Sequence, residues 1–278
     1  MNHNISKYLR SINIAAHRGS CGGNIPPNTL IAYEAALRQG ANILEADVAR
    51  SADGVFYMFH TGSGNEKYYL GIDCAFEDLT SKELDAICLN NELGKDTIYH
   101  LSRLEDFLLQ FKDRCVINLD RSWEYWEEIV PLVRKLDMVD QILLKSPCKK
   151  EWIDKAGLVA PDFAYMPIIT EDIKPFYEMG GDKLPGYIGA ELVFATEESP
   201  ILRDHIVDML HKEGKIAWGN SIQFSAQKIL SAGHNDDISL SGDPDNGWGW
   251  LVKQGFDIIQ TDWVCALKNY LETLSFSR

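Results

Sequence analysis

Eight short apolar runs punctuate this chain: "INIAAH", "NILEADVA", "CVINLD", "QILLKS", "FAYMPII", "GYIGAELVF", "KIAWGN" and "FDIIQTD". Most are separated by segments long enough for a helix. In "NTLIAYEAALRQG", Leu30, Tyr33, Ala36 and Leu37 fall on one face, and Gly40 stands where a C-terminal cap belongs. Strands alternating with helices make parallel βα units, and eight such strands close a TIM barrel. The expected fold is an α/β, (β/α)8 barrel with all 278 residues in one domain.

One run breaks the alternation. "VFYMFH", residues 55–60, follows "LEADVARSADG", whose Asp53-Gly54 is a hairpin signal. A parallel crossover needs about a dozen residues, so this run must fold back antiparallel on an upward extension of strand two. That pairing sets His60 opposite Glu45 or Asp47, whichever turn type is used. Residues 61–114 read as turns and one helix, "LSRLEDFLLQF", an insertion within one βα connection.

Several runs end on side chains that can do chemistry, and a barrel presents the carboxyl ends of its strands to the active face. Glu45 and Asp47 are two apart on a strand, so both carboxylates point to the same side. Two acids held that close repel each other unless a cation sits between them. Asp120, ending "CVINLD", offers either a third oxygen ligand or a helix N-cap. Carboxylates with no cysteine nearby point to one hard divalent cation, Mg²⁺ or Ca²⁺. His17 and His60 end runs beside these acids and suggest a general acid and base. Arg18 offers the planar fork that suits a phosphate. His3, His100, His205, His211 and His234 have no such setting.

Charge and cysteine usage narrow the partners. Twenty-seven Lys+Arg against 41 Asp+Glu give a net charge of −14, which disfavours nucleic acid and anionic membranes. An anionic substrate would need a local cation to hold it. The six cysteines are scattered, with no Cys-x-x-Cys, and read as free, mostly buried thiols. No run approaches the roughly 20 apolar residues of a membrane span, and "MNHNISKYLRSIN" lacks a signal-peptide core. The cytoplasm is the expected location, or the periplasm where a leader precedes the chain.

The elements "HRG" at 17–19, "PPNT" at 26–29, "EAD" at 45–47, "SADGVFYMFH" at 51–60, "NLD" at 118–120 and "IIQTD" at 258–262 come in a telling order. In that order the chain resembles the glycerophosphodiester phosphodiesterases, barrel enzymes akin to phosphoinositide phospholipases C. The resemblance implies a TIM barrel with Glu45, Asp47 and Asp120 as metal ligands, His17 and His60 as the acid/base pair and Arg18 at the phosphate. It implies metal-dependent hydrolysis of a small glycerophosphodiester to glycerol 3-phosphate and an alcohol. Three departures stand out. Pro27 replaces the Glu of "PENT", and Thr61 replaces the Asp that usually follows the second histidine. The acidic-x-Lys pattern is here Asp120-Arg121-Ser122. On a regular strand Arg121 points away from the mouth, so Lys145 on the adjacent strand is the candidate replacement cation.

Trp263, with Trp248 and Trp250, makes the last quarter of the chain a wall for the leaving alcohol, unless the latter two pack the last helix. Two other readings compete. One is a lysophospholipase D or sphingomyelinase D-like enzyme forming a cyclic phosphate. The other is a non-catalytic barrel that binds phosphorylated ligands, encouraged by Thr61 and opposed by the intact histidines and carboxylates.

Overall fold

A computed structural model describes residues 4–179, 184–225 and 227–276. Its barrel strands, numbered in chain order, are β1 Asn13–His17, β2 Ile43–Arg50, β3 Val116–Asp120, β4 Ile142–Pro147, β5 Ala164–Ile169, β6 Gly189–Leu192, β7 Ile216–Asn220 and β8 Ile258–Thr261. Each pairs in parallel with the next, and β1 pairs with both β2 and β8, so the sheet closes. All eight apolar runs of the sequence are these strands.

The period of two along each strand divides the barrel by depth. Ala15, Ile43, Val116, Leu143, Ala164, Trp218 and Ile258 form an apolar floor, capped by Ile5 of the short helix Asn4–Tyr8. Two residues further along, the same inward positions become His17, Glu45, Asn118, Lys145 and Gln260. One more step on β2 and β3 gives Asp47 and Asp120, which are register partners. The outward positions pack against the helices in the larger core, which includes Ile14, Leu44, Ile117, Leu144 and Ile259.

The run 55–60 folds back as expected. Phe56–Met58 pairs antiparallel with β2, Val48 opposite Met58 and Arg50 opposite Phe56, across a turn in which Gly54 adopts φ +85°. The register differs by one from the expectation. The backbone N–H of Phe59 donates to the carbonyl of Asp47, so the ladder extrapolates to His60 opposite Ala46, between the two acids.

Residues 61–103 hold more structure than turns. They form a short helical turn, Glu66–Leu70, a helix, Ser81–Asp85, with a Thr80/Glu83 capping box, and a hairpin of Cys88–Asn90 and Asp96–His100. Leu70, Phe76, Leu84, Leu89 and Leu101 pack with Tyr57 and Phe59 into a separate small core. The helix Leu104–Phe111 belongs instead to the barrel, burying Phe107 and Phe111 against Tyr33. The cysteines also depart from expectation: only Cys115 and Cys148 are buried, while Cys21, Cys74, Cys88 and Cys265 are exposed. No helix among the described residues is long and apolar enough to cross a membrane.

Candidate active site

At the carboxyl end of the barrel, Glu45, Asp47 and Asp120 each bring an oxygen within 4.8 Å of the others. Burial, with Asp47 and Asp120 beside it, pushes the Glu45 carboxyl well above the usual range. Burial likewise pushes Asp120 up to about 6. Asp47 lies below its ordinary value because Arg18, His60, Asn28 and His17 outweigh its own burial. One oxygen of Asp120, Oδ1, is buried without any hydrogen-bond partner. A buried, partnerless carboxylate oxygen beside two other acids is a costly arrangement that an oxygen-seeking cation would relieve. The donor set therefore fits a hard divalent ion.

The turn after β1 is built to hold these acids. Arg18 adopts φ +58°, its backbone N–H donates to Glu45 Oε2 at 3.0 Å, and its Nε forms an ion pair with Asp47 Oδ2 at 2.9 Å. Asn28, also left-handed, donates from Nδ2 to Asp47 Oδ2 and accepts from the backbone N–H of Asp47. Tyr33 fixes that amide through its hydroxyl at 2.5 Å. Thr29 caps the first helix, Leu30–Gln39.

The two histidines sit in opposite electrostatic settings. His17 Nδ1 lies 2.8 Å from Asp262 Oδ1, and its ring meets Phe224 edge-on at 5.5 Å. Among the described residues, no carboxylate lies at the ring nitrogens of His60. Asn65 donates from Nδ2 to the His60 carbonyl at 2.9 Å and lies 3.0 Å from Nδ1, taking the orienting place that Thr61 cannot fill. Arg121 Nη1 lies 3.2 Å from His60 Nε2. Burial pushes His60 down to about 4, with the Arg18 and Arg121 charges adding to that fall and Asp47 opposing it.

Arg121 corrects the expectation that it points away. The strand does not stay regular: Arg121 takes φ +53°, which swings its side chain back to His60. Lys145 is 2% exposed, its Nζ 2.6 Å from Glu191 Oε2 and 4.0 Å from the centre of the Trp218 ring. It is buried beside the acids, within reach of the Asp120 and Glu45 charges. Glu191, an acid within the apolar run "GAELVF", also accepts from Asn220 at 2.8 Å.

Beside His17 and Arg18 opens a cleft of about 860 Å³ walled by Tyr69, Glu92, Phe224 and Trp263. Trp263 is 54% exposed there. The other two tryptophans are structural. Trp250 stacks on His234 at 3.9 Å, and Trp248 donates from Nε1 to Asp236 at 2.7 Å. Asp236 also accepts from the hydroxyls of Ser221 and Thr261 and from the backbone N–H of Asp262, the partner of His17. Asp236→Ala should leave these buried donors unpaired and lower stability by about 3 kcal/mol. A urea titration showing less than about 1 kcal/mol of loss would contradict that reading.

Residues 17–147 match the glycerophosphoryl diester phosphodiesterase family, and residues 165–271 match a domain of unknown function. A glycerophosphodiester phosphodiesterase of Bacillus altitudinis is 30% identical over 143 residues, 48% of this chain and 57% of the relative. A lysophospholipase D of Mus musculus is 29% identical over 133 residues, 45% of this chain and 40% of the relative. The chain thus spans about half the length of the curated relatives it matches. Among solved structures, a glycerophosphoryl diester phosphodiesterase of Parabacteroides distasonis superposes with a TM-score of 0.76 at 20% identity, covering 98% of this chain and 91% of that one. A phosphodiesterase of Oleispira antarctica in complex with sn-glycerol-3-phosphate gives 0.64 at 19%, covering 96% and 99%. At these identities the likeness is one of fold.

Proposed function

Since residues 17–147 belong to the glycerophosphoryl diester phosphodiesterase family, we propose that this barrel is a metal-dependent phosphodiesterase. It cleaves small glycerophosphodiesters to glycerol 3-phosphate and an alcohol, with residues 1–278 acting as one domain. The observation that carries the reading is the convergence of Glu45, Asp47 and Asp120 beside His17, Arg18 and His60 at one mouth.

Glu45, Asp47 and Asp120 would hold one Mg²⁺ or Ca²⁺, which when bound supplies positive charge against a phosphoryl oxygen. Arg18 supplies a second positive charge beside Asp47. The histidines divide the proton work according to their settings. His60, kept neutral by burial and by Arg121, takes the proton from the attacking oxygen. His17, with Asp262 to balance an imidazolium, delivers one to the departing alcohol.

The test is a panel of glycerophosphocholine, glycerophosphoethanolamine, glycerophosphoglycerol and glycerophosphoinositol, read by released glycerol phosphate. Release from at least one is expected. The similarity to a mouse lysophospholipase D supports a second reading, in which a lysolipid is the substrate. Turnover of lysophosphatidylcholine with none of the panel would favour it.

Trp263 and Phe224 with Glu92 make the cleft suited to a cationic head group. Trp263→Ala should then raise KM for glycerophosphocholine roughly 2- to 30-fold relative to glycerophosphoinositol. An equal change for every head group would rule out a wall that selects choline.

A further inference from the structure

We infer that Arg121 is an anion-binding residue that takes one phosphoryl oxygen of the substrate while releasing the Nε2 lone pair of His60. The inference rests on the phosphodiesterase reading and extends it to a residue whose position in the chain argued against any role.

Charge leads to it first. Four carboxylates, Glu45, Asp47, Asp120 and Glu191, crowd the upper barrel, and two cations are already committed to them. Arg18 pairs with Asp47 at 2.9 Å and Lys145 with Glu191 at 2.6 Å. One divalent cation on the acids brings the group to neutrality. A phosphodiester adds a further negative charge, which leaves the group one unit negative even with the cation and Arg18 in place. Arg121 is the cation that remains: among the described residues, no carboxylate lies within ion-pair distance of its guanidinium.

Geometry leads to the same side chain. Arg121 directly follows Asp120 and holds φ +53°, a conformation that costs a non-glycine residue about 1 kcal/mol or more. That turn aims Nη1 at His60 Nε2, 3.2 Å away, at the end of the hairpin carried by the neighbouring strand β2. A guanidinium only donates, so this contact is a hydrogen bond in the tautomer that carries its ring proton on Nδ1, with Nε2 the acceptor and Asn65 bonded to the His60 carbonyl, not to the ring. The lone pair that proton abstraction requires is therefore covered when no anion is present. A phosphoryl oxygen is a much stronger acceptor for a guanidinium than a neutral imidazole nitrogen. When a phosphodiester enters, the guanidinium moves to the oxygen and the lone pair is exposed beside the reacting phosphorus. Asn65 stays anchored on the His60 carbonyl and keeps the ring in place during the exchange.

The test uses Arg121→Asn, because Asn tolerates the left-handed conformation, and Arg121→Lys, which keeps the charge without the fork. Inorganic phosphate is titrated calorimetrically into each protein with Mg²⁺ present, and KM and kcat are measured on glycerophosphocholine. Phosphate affinity should fall roughly 10- to 100-fold in Arg121→Asn, the size of one charge-assisted hydrogen bond, with Arg121→Lys in between. KM should rise in parallel, with thermal midpoints unchanged. Unchanged phosphate affinity and KM in Arg121→Asn, or no phosphate binding by the wild type, would overturn the inference. Phosphate binding that depends on Arg121 without turnover of any glycerophosphodiester would uphold the anion site and sink the proposed function instead.

Discussion

Glu45→Gln should abolish metal-dependent turnover and at the same time make the metal-free protein more stable. Glu45 is almost fully buried beside Asp47 and Asp120, and burial with those charges pushes its carboxyl well above the usual range. An acid whose folded pKa is raised penalises the folded state once the pH passes its unfolded value of about 4. For Asp120, pushed up to about 6, that penalty grows from about pH 4 to 6 and then levels off. Metal-free stability should therefore fall across this interval. A cation that binds the ionised carboxylates recovers the loss and displaces their protons. The gain in thermal midpoint on adding Mg²⁺ or Ca²⁺ should accordingly be larger at pH 8 than at pH 5. In Glu45→Gln the gain should nearly vanish, and metal affinity should fall by more than the roughly 10- to 100-fold typical of losing an outer-shell partner. A variant with the wild-type gain at pH 8 would remove Glu45 from the metal site.

His17→Ala and His60→Ala should each lower kcat by on the order of 10²–10⁴. Phosphoryl transfer asks a protein for positioned charge and for proton transfer on opposite sides of phosphorus. Neither histidine can replace the other, since His17 faces the Asp262 carboxylate and His60 the Arg121 guanidinium. The double variant should lose far less than the product of the single losses, because the pair acts as a unit. Circular dichroism would establish that the variants remain folded. A His60→Ala enzyme with near wild-type kcat between pH 6 and 8 would leave His17 without its partner.

The barrel was legible because each of its strands is a short apolar run bounded by polar residues, a pattern that parallel strands buried on both faces produce. Glu45 and Asp47 were legible as a pair because side chains two apart on a strand share a face, whereas the helix-cap alternative for Asp120 is set aside only by the structure, where it clusters with them and Ser122 holds the cap position. What could not be read depended on local backbone conformation or on long-range contact. Arg121 reads as outward on any regular strand, and only its left-handed φ turns it inward. Asn65 stands in for the orienting acid missing at Thr61 from five residues past His60, across a Gly-Ser-Gly turn with no periodic signal. Lys145 is legible as a cation on the strand next to Asp120, but its capture by Glu191 is a contact between β4 and β6, which flank β5 without pairing with each other. The insertion's elements, three to five residues each, are too short for apolar periodicity to register.

The central claim is that the carboxylates, a divalent cation and the two histidines form one hydrolytic site. Its most direct test is release of glycerol phosphate from the glycerophosphodiester panel before and after treatment with a chelator, followed by addition of Mg²⁺ or Ca²⁺. Release that chelation abolishes and one of these ions restores is the expected result, whereas release indifferent to the chelator would contradict the account.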